Sequence, residues 1–176
     1  MKQVYIILLR AVNVSGKNII KMADLKQQLE LAGFGQVRTY IQSGNILLET
    51  DMTREKLGEE IRRIILEYFS LDIGVFVLTR DLLEKALAGN PFPPDAAPNR
   101  VFITFLNAPP AAESISKLRQ IDLGEDLYVL NGKVLYFYLP GGMATSKLSN
   151  NFFEQKLKVR STGRNLNSVQ KLLSLL

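Results

Sequence analysis

The 176-residue chain is 47% hydrophobic and 22% charged, the balance of a globular protein long enough to bury a substantial core. It contains no cysteine and no histidine, which excludes disulfides, thiolate zinc sites and catalysis by Ser-His-Asp or Cys-His groups. The net charge is +5, and the positive excess lies in residues 1–50 (six Lys/Arg against three Asp/Glu) and 146–176 (six against one). A basic surface contributed by both ends would favour an anionic partner.

The first predicted element is a strand at residues 4–9, a continuous apolar run of the kind that is covered on both faces of a sheet. The run is much too short to span a membrane or to form the core of a signal peptide. We therefore expect a cytoplasmic protein with no membrane partner.

The rest of the first half predicts alternating helices and strands. Ser43-Gly44 is typical of a hairpin turn, and Thr53 is suited to cap a helix. The predicted elements after the first strand are a helix over about 22–32, strands 36–42 and 45–50, a helix between Thr53 and Phe69, strand 73–78 and a short helix containing Leu82 and Leu87. The order through the fourth strand is βαββαβ.

The proline-rich segment 90–99 cannot form regular structure and predicts a linker between subdomains 1–89 and 100–176. Beyond it the pattern repeats, with a hairpin around Asn131-Gly132 that we predict to be a type I′ turn with two positive φ angles. The other predicted elements are strand 101–106, a helix entered through Pro109-Pro110, a helix containing Leu148 and Leu157, a short strand near 159–162 and a final helix at about 165–176. We predict an α+β fold of two tandem ferredoxin-like (βαββαβ) subdomains with a C-terminal helix.

Four polar segments resemble the motifs of a known family. They are residues 10–17 (RAVNVSGK), 40–45 (YIQSGN), 146–148 (SKL) and 162–169 (TGRNLNSV). Together they resemble the bacterial family called domain of unknown function 1697 over essentially the whole chain. The resemblance implies an α+β fold and no established biochemical role. This chain departs from the family pattern at Ala11, Val12 and Ser15, at Gly163, where threonine is usual, and at Leu166, where tryptophan is usual. A stacking role for that tryptophan could not operate here.

A candidate anion site lies where two of these segments meet. In a split βαβ unit, the loop after the first strand and the turn after the second leave the sheet at one edge. We therefore expect Arg10, Asn13 and Lys17 to lie beside Ser43 and Asn45. Such donors, with glycine-rich backbone, suit a phosphate or carboxylate. The alternative is that these residues make two tight turns.

A second candidate is Lys147, which follows Gly141-Gly142 at the start of a predicted helix. Helix amides and a lysine could hold an anion there, or Thr145 or Ser146 could simply cap the helix. The match to a nucleotide-binding P-loop fails, because serine replaces the second glycine and Leu148 replaces the magnesium-binding hydroxyl. We predict no cofactor.

A third candidate is the segment with Arg164 and Asn165, also at a predicted helix start. Arginine can bind phosphate or carboxylate with two hydrogen bonds, and asparagine can recognise an amide or a base edge. The alternative is a cap formed by Thr162 or Asn165, with Arg164 in solvent.

We predict a non-catalytic or weakly catalytic protein that binds an anionic ligand, a nucleic acid or a phosphorylated metabolite. One alternative is an enzyme that uses Lys17 or Lys147 in a deep pocket, with the lysine buried. Another is a module whose exposed strand edges pair with a second copy of the chain. The predicted ligand-binding residues are Arg10, Asn13, Lys17, Ser43, Asn45, Lys147, Arg164 and Asn165.

Overall fold

A computed structural model describes residues 1–176, which divide into two compact units. Unit 1 comprises Met1–Leu83 and Leu172–Leu176, and unit 2 comprises Glu84–Lys171. Each unit contains a four-stranded antiparallel sheet with the strand order of a ferredoxin-like fold, which confirms the predicted α+β class. No helix has the length and apolar character needed to cross a membrane.

Unit 1 is built around its first strand, whose apolar run is buried from Tyr5 to Leu9. The sheet order is β2-β3-β1-β4, so β1 is a central strand. Consecutive residues from Tyr5 to Leu9 are buried, so both of its faces are covered, as the continuous apolar run predicts. The elements are β1 (Gln3–Leu9), α1 (Met22–Leu31), β2 (Gly35–Tyr40), β3 (Asn45–Thr50), α2 (Arg54–Phe69) and β4 (Val75–Leu78), followed by α3 (Arg80–Ala88).

Helix α2 shows how local sequence sets the boundaries of an element. Thr53 caps it as predicted, since its side chain accepts a hydrogen bond from the Lys56 amide at 3.4 Å. Ser70 ends the helix in a left-handed conformation with φ +56°. The buried stripe that docks on the sheet consists of Leu57, Ile61, Ile64 and Ile65.

Unit 2 repeats this topology with sheet order β6-β7-β5-β8. Its core is aromatic, with the ring of Phe153 lying 5.3 Å from that of Phe137 and 5.7 Å from that of Tyr128. The elements are β5 (Val101–Leu106), α4 (Ala112–Arg119), β6 (Leu127–Asn131), β7 (Val134–Tyr138), α5 (Asn150–Leu157), β8 (Ser161–Asn165) and α6 (Leu166–Ser174). The predicted linker, residues 90–99, lies in unit 2 and forms only turns and bends.

The β6–β7 hairpin differs from the predicted type I′ turn. Asn131 pairs with Val134 at the end of the ladder, so the two turn residues are Gly132 and Lys133. Only Gly132 has a positive φ, +60°. The prediction was wrong because Asn131 is extended as the last strand residue, which moves the turn one position along the chain.

Candidate functional site

The β1–α1 loop (residues 10–21) meets the β2–β3 turn (residues 41–44) in unit 1, as the predicted topology requires. The contact is made by Asn13, whose Nδ2 donates to the carbonyl of Gln42 at 2.7 Å and to that of Ile20 at 2.8 Å. Its Oδ1 accepts from the Ile20 amide at 2.9 Å. Asn13 therefore uses both ends of its amide to hold the loop against the turn.

Asn45, the first residue of β3, stabilises the β2–β3 turn and is fully buried. Its Nδ2 donates to the carbonyl of Tyr40 at 3.0 Å and to Ser43 Oγ at 2.9 Å. Gly44 has φ +80° and packs so closely that an added Cβ would lie 2.7 Å from Leu9 Cβ. Asn13, Ser43 and Asn45 thus have the turn-forming role that was the alternative for this segment.

The β1–α1 loop contains an unusual concentration of left-handed backbone. Four non-glycine residues have positive φ, and Gly16 joins them at +72°. This conformation costs ~1–2 kcal/mol for Ala11 and for Ser15 and less for the two asparagines, which adopt it more readily. Asn18 helps to hold this conformation, since its Nδ2 donates to the Ala11 carbonyl at 2.9 Å and its own carbonyl accepts from the Asn13 amide at 3.1 Å. The four non-glycine residues are Ala11 (+54°), Asn13 (+55°), Ser15 (+50°) and Asn18 (+49°).

The loop carries positive charge and no acid. Between Arg10 and Lys21 there is no aspartate or glutamate, and both Lys17 and Lys21 are exposed. The Lys17 amide donates to the Val14 carbonyl at 2.9 Å and closes a tight turn. The amides of Ser15 and Gly16 at its tip donate to no other group of the chain. Two backbone donors and a lysine therefore face solvent together.

Lys147 does not lie at a helix start, so that prediction is wrong. Helix α5 begins at Asn150, and its cap is Ser149, whose Oγ accepts from the Phe152 amide at 3.1 Å. Lys147 is exposed in the irregular segment before it. Ser146 shapes that segment, donating from Oγ to Asp126 Oδ2 at 2.6 Å and accepting from the Leu148 amide at 2.8 Å.

Arg164 lies in strand β8 opposite Ile103, and its side chain is buried at 9% exposure. This corrects the expectation that it would be solvated if Asn165 formed the cap. Its Nη1 donates to Thr162 Oγ1 at 2.9 Å and to the Gly163 carbonyl at 2.8 Å. Burial lowers the pKa of Arg164 to about 10, so the guanidinium remains charged at neutral pH.

Asn165 is the cap of α6, because its Oδ1 accepts from the Ser168 amide at 2.9 Å. The strand before it is longer and later than predicted, 161–165 in place of 159–162. Asn165 therefore has the structural role that was one of its two predicted alternatives.

Two polar residues of unit 2 were not singled out from the sequence. Thr104 is completely buried in the middle of β5 and donates from Oγ1 to Asn150 Oδ1 at 3.0 Å. Both lie over Gly163, where an added Cβ would overlap Thr104 Oγ1 and come within 2.7 Å of Asn150 Oδ1. The family's usual threonine would not fit beside these two side chains. The sequence feature that could have indicated this buried polar contact is the single threonine in the otherwise apolar strand β5.

An open depression of about 710 Å³ lies at the N-terminal end of α2. It is lined by carboxylates (Asp51, Glu59, Glu60) and by the cations Lys56 and Arg63. A hydrogen bond from Arg63 lowers the pKa of Glu60, which keeps that carboxylate charged. With both charge signs on its walls, the depression does not suit an anion.

Residues 1–136 match the family described as "Protein of unknown function (DUF1697)". Among solved structures, the chain is similar to the conserved bacterial protein SP0830 from Streptococcus pneumoniae, with a TM-score of 0.74. The two are 22% identical, and the match covers 99% of each chain. This similarity shows the shared fold. No curated protein matches the chain.

Proposed function

We propose that this chain, which belongs to the DUF1697 family of proteins of unknown function, binds a nucleic acid through the β1–α1 loop of unit 1. The family match covers the motifs at 10–17 and 40–45 and confirms the resemblance there, whereas those at 146–148 and 162–169 lie outside the matched residues. It leaves the biochemical role open. One observation carries the proposal. At the loop tip, Lys17 lies beside the unpartnered amides of Ser15 and Gly16, in a segment without a carboxylate.

Left-handed residues that alternate with residues of negative φ, as Ala11, Asn13 and Ser15 do here, support anion binding because they turn neighbouring backbone N–H groups towards one concave side. Here the conformation is held before any ligand arrives, by the side chains of Asn13 and Asn18. A loop that is already ordered loses less conformational entropy when it binds. The backbone strain therefore supports a binding role for the tip.

The exposure of the tip favours a nucleic acid over a phosphorylated metabolite. Small-molecule sites are concave and bury most of the ligand. Lys17, Ser15 and Gly16 are instead all exposed, as are the neighbouring apolar residues Val14 and Ile19. A polyanion can bind such a surface through successive phosphates, each held by a cation or an amide.

The enzyme alternative has less support. It required a lysine whose pKa is lowered by burial. Lys17 and Lys147 are both exposed, so neither fits that role.

The test is fluorescence anisotropy with labelled single-stranded RNA and duplex DNA at about 50 and about 200 mM salt. We expect Lys17→Glu to weaken binding at least tenfold at the lower salt and to reduce the salt slope by about one phosphate contact. Lys158→Glu is the matched control, since it makes the same charge change at an exposed lysine of unit 2 that is not among the predicted ligand-binding residues. Its binding should stay within about threefold of wild type.

Two results would contradict the proposal. Absence of wild-type binding to both nucleic acids at low salt would exclude nucleic-acid recognition. Equal losses in Lys17→Glu and Lys158→Glu would show that the β1–α1 loop is not the binding surface.

A further inference from the structure

Strand β6 forms an edge of the sheet in unit 2 and pairs only with β7. Because the hairpin turn has two residues, Asn131 and Val134 form a hydrogen-bonded pair, and such pairs alternate along the ladder. The backbone groups of Tyr128 and Leu130 therefore point away from β7. Neither residue has another backbone hydrogen bond within the chain, so two N–H and two C=O groups line the edge.

The outer side chains of β6 are apolar. Leu127 is 52% exposed and Val129 is 41% exposed, on the face opposite the core that receives Tyr128 and Leu130. The register with β7 runs without a shift from Leu127 to Asn131, and the strand contains no charged residue or proline. Charges, prolines and bulges are the usual protection of an edge strand. Strand β6 has none of them.

The edge strand of unit 1 is protected, although it occupies the same position in its sheet. The register of β2 with β3 shifts between Gly35 and Arg38. Gln36, within the irregularity, has φ +50°, and Arg38 is exposed. Of the two strands at this position in their sheets, β2 is therefore protected and β6 is not.

We propose that β6 pairs antiparallel with β6 of a second copy of this chain, about a two-fold axis at Val129. In this register Tyr128 of each copy lies opposite Leu130 of the other, and the pair exchanges backbone hydrogen bonds on both sides of the axis. Val129 packs against Val129 of the second copy. The strand edge is thus complementary to itself.

The charged residues on either side of β6 favour antiparallel over parallel pairing of the two copies. Glu125 precedes the strand and Lys133 follows it, both exposed. Antiparallel pairing about Val129 brings the end of one strand that carries Glu125 to the turn of the other that carries Lys133, whereas parallel pairing would bring like charges together. Within one chain the two residues are separated by the length of the strand, roughly 25 Å at 3.3 Å per residue. They are complementary only between copies.

The first test is sedimentation equilibrium over about 1 µM to about 1 mM, a range that spans weak association. Wild type should dimerise, and Val129→Lys should weaken dimerisation at least tenfold, since it places two lysines on the two-fold axis. Leu66→Lys is the control, at a leucine of α2 that is 52% exposed, against 41% for Val129. A monomeric wild type at the highest concentration, or equal weakening in both variants, would overturn the proposal.

The second test exchanges the flanking charges. Glu125→Lys and Lys133→Glu should each weaken the dimer about threefold or more, and the double variant should restore it. A purely structural role for either residue would give no such rescue. Failure of the double variant to recover would contradict the antiparallel register.

The third test uses the absence of native cysteine. In the proposed dimer Val129 forms a non-hydrogen-bonded pair with its copy, at the ~4.5 Å Cα separation that a disulfide can bridge. Val129→Cys should therefore give a covalent dimer in a glutathione redox buffer, while Leu66→Cys should give little. Equal cross-linking in the two variants would show random collision and exclude the paired edge.

Discussion

Units 1 and 2 have the same sheet order but differ wherever the sheet does not constrain the chain. After the first strand, unit 1 has the charged, left-handed loop 10–21, whereas unit 2 has residues 107–111, which carry two prolines and no charge. The fourth strand is apolar in unit 1 (VFVL) and polar in unit 2 (STGRN). The apolar pattern of the central strands therefore sets the topology, while loops and edge strands are free to diverge.

Polar burial shows the same contrast. In unit 1 the buried polar residues, Asn45 and Thr50, lie in β3. In unit 2 they gather around β8 and include a charged group. The unit 2 set is Thr104, Ser161, Thr162, Arg164 and Ser168. Buried polar groups need specific partners, so this strand depends more on exact hydrogen bonding than its counterpart does.

The two hairpin turns should respond very differently to the same substitution. Gly44→Ala should lower the free energy of unfolding by about 2–5 kcal/mol, since a left-handed alanine and an overlap with Leu9 both cost energy. Gly132→Ala has the same left-handed strain but no atom within 4 Å, and should lower it by about 1–2 kcal/mol. Urea unfolding measures both. Equal losses would show that the packing of Gly44 against β1 does not matter.

Arg164→Lys should destabilise the protein by about 1–3 kcal/mol. A lysine cannot reproduce the planar guanidinium that donates to both Thr162 and Gly163. Lys147→Ala, at an exposed residue, should change the free energy of unfolding by less than about 0.5 kcal/mol. Thermal and urea unfolding would test this difference. If Arg164→Lys were as harmless as Lys147→Ala, the buried hydrogen bonds would not be important.

In each unit, the loop after the first strand contains an asparagine, and the two asparagines should contribute differently to the free energy of unfolding. Asn13→Ala removes three hydrogen bonds and should lower the free energy of unfolding by about 1–2 kcal/mol. Asn107→Ala removes one, accepted from the Arg160 amide at 2.9 Å, and should cost about 0.5–1 kcal/mol. Hydrogen exchange of residues 10–21 should accelerate only in the first variant. Unchanged exchange there would contradict the linking role of Asn13.

The smallest effect should come from the exposed ion pairs of α2, where Arg63 bridges Glu60 and Glu67. Hydrogen bonding to Arg63 lowers the pKa of Glu60 in the folded state below its usual 4.5. The stabilisation is therefore present above about pH 4.5 and is lost as the pH falls through the lowered pKa. Arg63→Ala should be slightly less stable than wild type at pH 7, and the difference should shrink at about pH 3. If the stability difference between Arg63→Ala and wild type were larger at about pH 3 than at pH 7, the lowered pKa of Glu60 would not be the source of the stabilisation.

The order of elements could be predicted because most strands and helices carry their own apolar periodicity. The bounds of strand β8 could not, since its polar residues are held by pairing with β5, a long-range contact that periodicity does not report. For the same reason Arg164 was expected at the surface. Gly141-Gly142 suggested a helix start, but Ser149, nearer the apolar residues of α5, caps it. Residue type alone therefore did not distinguish a helix cap from a turn residue, or a buried arginine from an exposed one, whereas the hydrogen bonds of the structure do.

The candidate site was predictable to the extent that topology determines it. The meeting of loop 10–21 with turn 41–44 followed from the βαββ order, and Lys17 was among the predicted residues. The left-handed conformations of Ala11, Ser15 and Asn18 were not predicted, because glycine is the residue type that indicates a positive φ in a sequence. Asn13 and Asn45 were predicted either to bind a ligand or to form tight turns, and their amides make the contacts of the second alternative.

During synthesis, unit 1 stays incomplete until the ribosome has made almost all of unit 2, because Leu172–Leu176 belong to unit 1. At about 5–20 residues per second, the intervening stretch takes ~4–20 s to translate. Throughout that interval the nascent unit 1 lacks Leu172, which is fully buried in the finished protein. The two units therefore cannot mature strictly one after the other, and the first depends on a late segment for its completion.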